Sequence, residues 1–161
     1  MTASGLVIEG LEKRDGFGRE VFLTSLEDFV ARPSLVLPSN NFVCLVAGDS
    51  SGRSGSELKE FGAWLLEQGA VYICAWGPSC EDLEEAVDYA VVDADIESGT
   101  ESAVVITTSH AQESLEDALE YFWSDANPHP WYGARCKAAL AMAIGNPKWK
   151  GEISSWVRNR H

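Results

Sequence analysis

Between residues 42 and 122 the chain alternates short, continuous apolar runs with segments whose apolar residues recur at helical spacing, and no other feature constrains the fold so tightly. The run 42–47 is apolar throughout and stops at Gly48, Asp49, Ser50, Ser51 and Gly52, as a strand covered on both faces would. Leu58, Phe61 and Leu65 then follow at helical spacing with Gly69 behind them, which predicts a helix over 56–68. A second β-branched and aromatic run, 71–76, is stopped by Gly77 and Pro78. Ser79 with Asp82 forms a capping pair for a helix carrying Leu83, Ala86, Val87, Ala90 and Val91 on one face. A third run, 103–107, precedes Leu115, Ala118, Leu119 and Phe122, again at helical spacing, until Asn127 and Pro128 end the pattern.

Strands separated by single helices are parallel, because a chain leaving one end of a strand returns to the other end through its crossover. The fold class predicted is therefore α/β: a three-layer αβα sandwich with a Rossmann-like, mostly parallel sheet of about four to five strands. The segment 138–144 is rich in alanine, which favours helix. Its place before Gly145, Asn146 and Pro147 and a final amphipathic stretch (Ile153, Trp156, Val157) favours a further strand, and strand is the assignment adopted. Upstream, 6–10 and 19–23 are read as a hairpin through Asp15 and Gly16 or as an irregular extension, with a short helix over 25–31 ended by Arg32 and Pro33. A chain of 161 residues suits one domain, so 1–161 is read as a single unit with 1–40 as an extension packed on it.

Charge narrows the function classes. The formal net charge is −13, which opposes binding to nucleic acid or to an anionic membrane. Residues 81–125 hold fourteen acids and no Lys or Arg, whereas 129–161 carry six basic residues against Glu152 alone. Natural helices usually interleave Lys among acids for pairing one turn apart, so the block reads either as a solvated face or as a docking face for a basic partner. Glu84, Asp88, Glu116 and Glu120 are its candidate contacts. Cys44, Cys74, Cys80 and Cys136 are scattered without a disulfide framework or zinc spacing, so reduced thiols, no metal and a cytoplasmic location are expected.

In an open parallel sheet, ligands bind beyond the carboxyl ends of the strands, where strand order reverses. The candidates there are Gly48, Asp49, Ser50 and Arg53 in the first loop, Trp76 and Cys80 around the second, and Thr108, His110 and Glu113 around the third. Loop 48–55 is rich in glycine and hydroxyls and opens a helix, so its amides are able to cradle an anion beside Arg53, or simply to make an ordinary turn. It departs from a P-loop, having three residues between glycines and Arg53 in place of Lys, and it has no dinucleotide fingerprint, so no cofactor is expected. His110 reads as a general base with Asp49 as its acidic companion, or as a turn and cap residue. Cys80 is placed where a helix dipole favours a thiolate, but Glu81, Asp82, Glu84 and Glu85 oppose a further negative charge.

The stretch Cys74-Ala-Trp-Gly-Pro-Ser-Cys-Glu81 followed by Asp88, and the stretch Thr107-Thr-Ser-His-Ala-Gln-Glu-Ser-Leu-Glu-Asp-Ala-Leu119, resemble two motifs of a family of small bacterial domains of unknown function. The family carries Trp where this chain has Ser109. The resemblance implies a bacterial source and a shared surface of Cys74, Trp76, Cys80, Thr107, Thr108, His110 and Glu113, and it brings no activity with it. Two functional expectations follow. One is a non-catalytic acidic adaptor or immunity-type module that binds a basic protein surface. The other is a small-ligand binder or enzyme with a strand-end crevice, an anion-binding loop and a His general base.

Overall fold

A computed structural model describes residues 6–98 and 104–160. In chain order the elements are β1 (Glu9–Arg14), β2 (Glu20–Leu26), β3 (Asn41–Gly48), α1 (Gly55–Gln68), β4 (Ala70–Trp76), α2 (Cys80–Ser98), β5 (Ile106–Ser109), α3 (Leu115–Ser124), a 3₁₀ turn (Pro130–Arg135), β6 (Cys136–Ile144) and α4 (Pro147–Arg158). One six-stranded sheet has the order β1-β2-β6-β3-β4-β5. Only β1 is antiparallel, pairing with β2 as the N-terminal hairpin; β2, β6, β3, β4 and β5 all run the same way.

The central strands read as they do because helices press on both sides of them. Phe42, Cys44 and Val46 of β3 and Ile73 and Ala75 of β4 face α1 and α2, where they meet Leu58, Phe61, Leu65, Leu83 and Val87. Val43, Leu45 and Ala47, with Tyr72 and Cys74, face α3 and α4, where they meet Leu115, Leu119, Phe122, Ile153 and Val157. The helices divide this way for a reason of handedness. Two crossovers step outward from β3 to β5 and the next returns to β6, and a right-handed crossover that reverses its direction must pass over the opposite face.

β6 is a strand despite its alanines. It runs between β2 and β3, paired from Phe42↔Ala138 to Gly48↔Ile144, and small side chains suit a strand covered on both faces. Tertiary contacts here override the helical preference of alanine. The helices are capped locally: Ser54 accepts the Glu57 N–H, Ser114 accepts that of Asp117 and Asn146 accepts that of Lys148.

Three sequence expectations need correction. Ser79 does not cap α2 through its hydroxyl: it takes a left-handed turn conformation, φ +58°, and its backbone carbonyl accepts the Asp82 N–H instead. No helix forms over 25–31, because Ser25 and Leu26 still belong to β2, paired with Ala143 and Ile144 of β6. Asp28 then accepts the N–H groups of Val30 and Ala31 in a tight turn. The third apolar run forms its strand further along than 103–107. Ala103 lies outside the described residues, Val104 and Val105 precede β5, and the strand continues past Thr107 through Thr108 and Ser109; the Thr107 and Ser109 hydroxyls bond Asp88 and Glu84 of α2, and that of Thr108 bonds His110. Among the described residues no helix is long and apolar enough to cross a membrane.

Candidate functional site

Because β3, β4, β5 and β6 are parallel, Gly48, Trp76, Ser109 and Ile144 reach one rim of the sheet together. Strand order reverses between β3 and β6, where this architecture ordinarily opens a crevice. Here the gap is filled by Phe29, carried in by the turn after β2. A Cβ on Gly48 would lie 2.8 Å from Phe29 Cζ and 3.3 Å from Ile144 Cβ. Phe29 is 1% exposed and meets Phe61 edge-on at 5.0 Å.

The next two loops touch directly. Ser50 N–H donates to Pro78 O at 2.9 Å. Gly77 has φ +117°, and a Cβ there would fall 2.0 Å from Gly48 O, so only glycine fits both the conformation and the space. On the opposite face of the sheet, Trp76 donates its indole N–H to Glu113 O at 2.8 Å and packs edge-on against Trp149 of α4 at 5.0 Å.

The polar groups of loop 48–55 satisfy one another. Asp49 accepts from the hydroxyl and from the backbone N–H of Ser51, and these bonds hold its carboxyl below the usual carboxylate range. Arg53 pairs with Glu57 at 3.0 Å, leaving its charge already engaged within the first turn of α1. The exception is Ser50, whose side-chain hydroxyl is buried with no hydrogen-bond partner among the described residues.

His110 lies in a second self-contained network. Its side chain is 5% exposed, with Nδ1 3.1 Å from Glu113 Oε2 and Nε2 2.9 Å from Thr108 Oγ1, and its ring centroid is 4.6 Å from that of Tyr121. Both ring nitrogens are therefore engaged, and Tyr121 lies against the ring. Asp49 bonds within its own loop, so His110 and Asp49 do not form a hydrogen-bonded acid–base pair. Burial pushes the Cys74 thiol up to about 12, partly offset by the Thr108 hydroxyl. Cys80 is likewise raised, by burial first and by Glu81 and Glu84, against a bond from the His110 backbone. These thiols stay protonated near neutrality and are poor nucleophiles. Among the described residues no three His, Cys, Asp or Glu side chains gather as a metal site.

The acid block is split by the fold. Glu84 and Asp88 lie on α2, one turn apart, and accept hydrogen bonds from Ser109 and Thr107 of β5. Glu116 and Glu120 lie on α3, across the sheet, and Glu120 is held by a two-pronged pair with Arg160. The four acids thus do not share a face.

What the α2 side does present was missed by the sequence reading. Tyr89 is 58% exposed, Val92 52% and Ile96 73%, a stripe at i, i+3 and i+7 on the outer side of the helix. Its signal was available as a second helical period opposite the Leu83–Val87–Ala90 face, passed over because only the core-facing period was followed. Exposed Glu81, Glu85 and Asp88 border the stripe, and a groove of about 540 Å³ lined by Lys59, Asp82, Glu85 and Tyr89 runs beside it toward α1.

Fold and rim together define a doubly wound α/β domain whose β3, β4 and β5 strand ends are closed by its own side chains, whose β2 and β6 ends keep a groove of about 470 Å³ lined by Ser25, Glu27, Gly145 and Asn146, and whose α2 flank is open and acidic. A family model matches residues 21–160, and the chain belongs to that family, DUF7684, a domain of unknown function. No curated protein and no solved structure matches it significantly.

Proposed function

We propose that this protein is a non-catalytic acidic interaction module, an adaptor or immunity-type protein, that recognises a basic protein surface through the outer face of α2. The observation that carries the reading is the exposed stripe of Tyr89, Val92 and Ile96 set in a block of acids that contains no Lys or Arg. Apolar area supplies binding free energy, and although Arg53 and Lys59 of the α1 side also line the neighbouring groove, the excess of acids on α2 favours encounter with a basic partner. The burial of His110, engaged at both ring nitrogens, supports the same conclusion from the other side, since catalysis needs a place beside the imidazole for a reacting atom.

The test is affinity for the physiological basic partner, measured at low and high salt. Tyr89→Lys with Ile96→Lys, and separately Glu81→Lys with Glu85→Lys, are expected to weaken binding at least about ten-fold, a change of about 1.4 kcal/mol, with circular dichroism unchanged. Full affinity in both pairs would remove the proposal. A second reading, a small-molecule site at loop 48–55, is favoured by the buried, unpartnered Ser50 hydroxyl. On that reading, Ser50→Ala abolishes a thermal shift produced by a phosphorylated metabolite; absence of any such shift in the unsubstituted protein rejects it.

A further inference from the structure

The sheet ends at β5. Beyond it no further strand lies among the described residues, so one row of its backbone groups faces outward. His110 N–H donates to Ala75 O, which turns the even-numbered residues of β5 toward β4. By the two-residue period of a strand, the N–H and C=O groups of Thr107 and Ser109 point away from the sheet. Such a row pairs with whatever extended segment reaches it.

The side chains of the same two residues identify the segment. Thr107 Oγ1 donates to Asp88 Oδ1 and Ser109 Oγ donates to Glu84 Oε1, so each outward-facing residue of the edge has a carboxylate beside it. Glu84 and Asp88 are one helical turn apart, about 6 Å along the axis. Alternate residues of an added strand, those sharing one face, are spaced about 6.6 Å apart. The two spacings match, so an incoming strand with Lys or Arg at alternate positions sets one cation against each acid. A carboxylate that accepts one hydroxyl retains lone pairs for a charged donor.

From this arrangement the geometry points to strand addition: β5 accepts an extended basic segment of a partner protein, its backbone pairing with Thr107 and Ser109 and its alternating cations meeting Asp88 and Glu84. This rests on the interaction-module reading and deepens it by naming the form of the partner. A second copy of this chain is the wrong occupant. Antiparallel pairing of two β5 edges would bring Glu84 and Asp88 of both copies together, and like charges across such a pairing are destabilising.

The experiment uses the full chain with short, end-blocked peptides, and follows amide hydrogen exchange by NMR beside an affinity measurement. The probes are a peptide alternating lysine with valine, the same peptide N-methylated at alternate amides in either register, and one alternating glutamate with valine. The lysine peptide is expected to bind and to slow exchange at Thr107 and Ser109. One N-methylated register is expected to weaken binding roughly ten-fold at unchanged charge, since it removes backbone donors alone, and the glutamate peptide is expected not to bind.

Binding that leaves Thr107 and Ser109 unprotected, or that ignores N-methylation in both registers, overturns strand addition. So does protection that develops without peptide as protein concentration rises, which would mean self-pairing. The broader reading fails separately, when the α2 lysine variants keep full affinity for the protein partner.

Discussion

The β3–β5 part of the carboxyl-end rim and the α2–β5 flank are built from the same resources, short loops, hydroxyls and acids, and they end in opposite states. At the rim, Phe29 occupies the gap between β3 and β6, Gly77 lies against the Gly48 carbonyl, Asp49 bonds Ser51, Arg53 bonds Glu57, and His110 is held at both nitrogens. On the flank, Tyr89, Val92 and Ile96 face solvent and β5 has no outer neighbour among the described residues. A doubly wound sheet does not by itself make a strand-end pocket. Whether one opens depends on a few side chains at the reversal point, and the surface available for recognition moves accordingly.

The sharpest way to break this contrast is to disturb the contact that closes the rim. Gly77→Ala places a Cβ onto the Gly48 carbonyl at positive φ and is expected to cost more than about 4 kcal/mol in urea denaturation. Gly52→Ala, also at positive φ but with nothing within 4 Å, should cost only about 1 kcal/mol. Equal losses in the two variants would show that the loops are not closed on each other.

Phe29→Ala removes the plug itself and is expected to cost about 3–5 kcal/mol, with stability partly restored by a small apolar ligand that fills the space. A loss below about 1 kcal/mol would mean that the ring is not packed in the gap.

The buried thiols give a pH signature of the closed interior. Burial raises Cys74 to about 12 and Cys136 to about 11 from an ordinary value of 9.0. A folded-state pKa raised above its unfolded value contributes stability that is fully present below the unfolded value. Stability should therefore fall as pH rises from 9.0 toward 11 and 12, by up to about 1.4 kcal/mol per pH unit for each fully buried thiol. The Cys74→Ala variant should show a shallower decline in denaturation midpoints over that window, and an unchanged slope would contradict the assignment.

The smallest effect is expected on the flank. Val92→Ser and Ile96→Ser should each change stability by less than about 0.5 kcal/mol, because these side chains are already in water. A larger loss would mean that the stripe is covered within the molecule.

Much of the fold was legible because its signals are local. The apolar runs that became β3 and β4, the glycine after α1 and the proline that opens α4 each act within a few residues. The failures have distant causes. The segment 25–31 has the composition of a short helix, but Ser25 and Leu26 are held in β2 by Ala143 and Ile144, far away in sequence. The strand-end residues Asp49, Trp76 and His110 were placed correctly on one rim. That Asp49 is held in its own turn, that Trp76 is spent on Glu113 and Trp149, and that Tyr121 lies against His110 depended on partners no spacing reveals.

The amino-acid order by itself determined the alternation of elements, the parallel sheet that follows from it, and a strongly acidic middle, since these depend on periodicity and on the sum of charges. Tertiary structure alone decided that Phe29 closes the gap beside Gly48 and that the acids of α2 and α3 lie on opposite faces. The first is a contact between distant segments. The second follows from the crossover after β5 reversing direction, which sends α3 over the other side of the sheet and leaves α2 with the exposed strand edge.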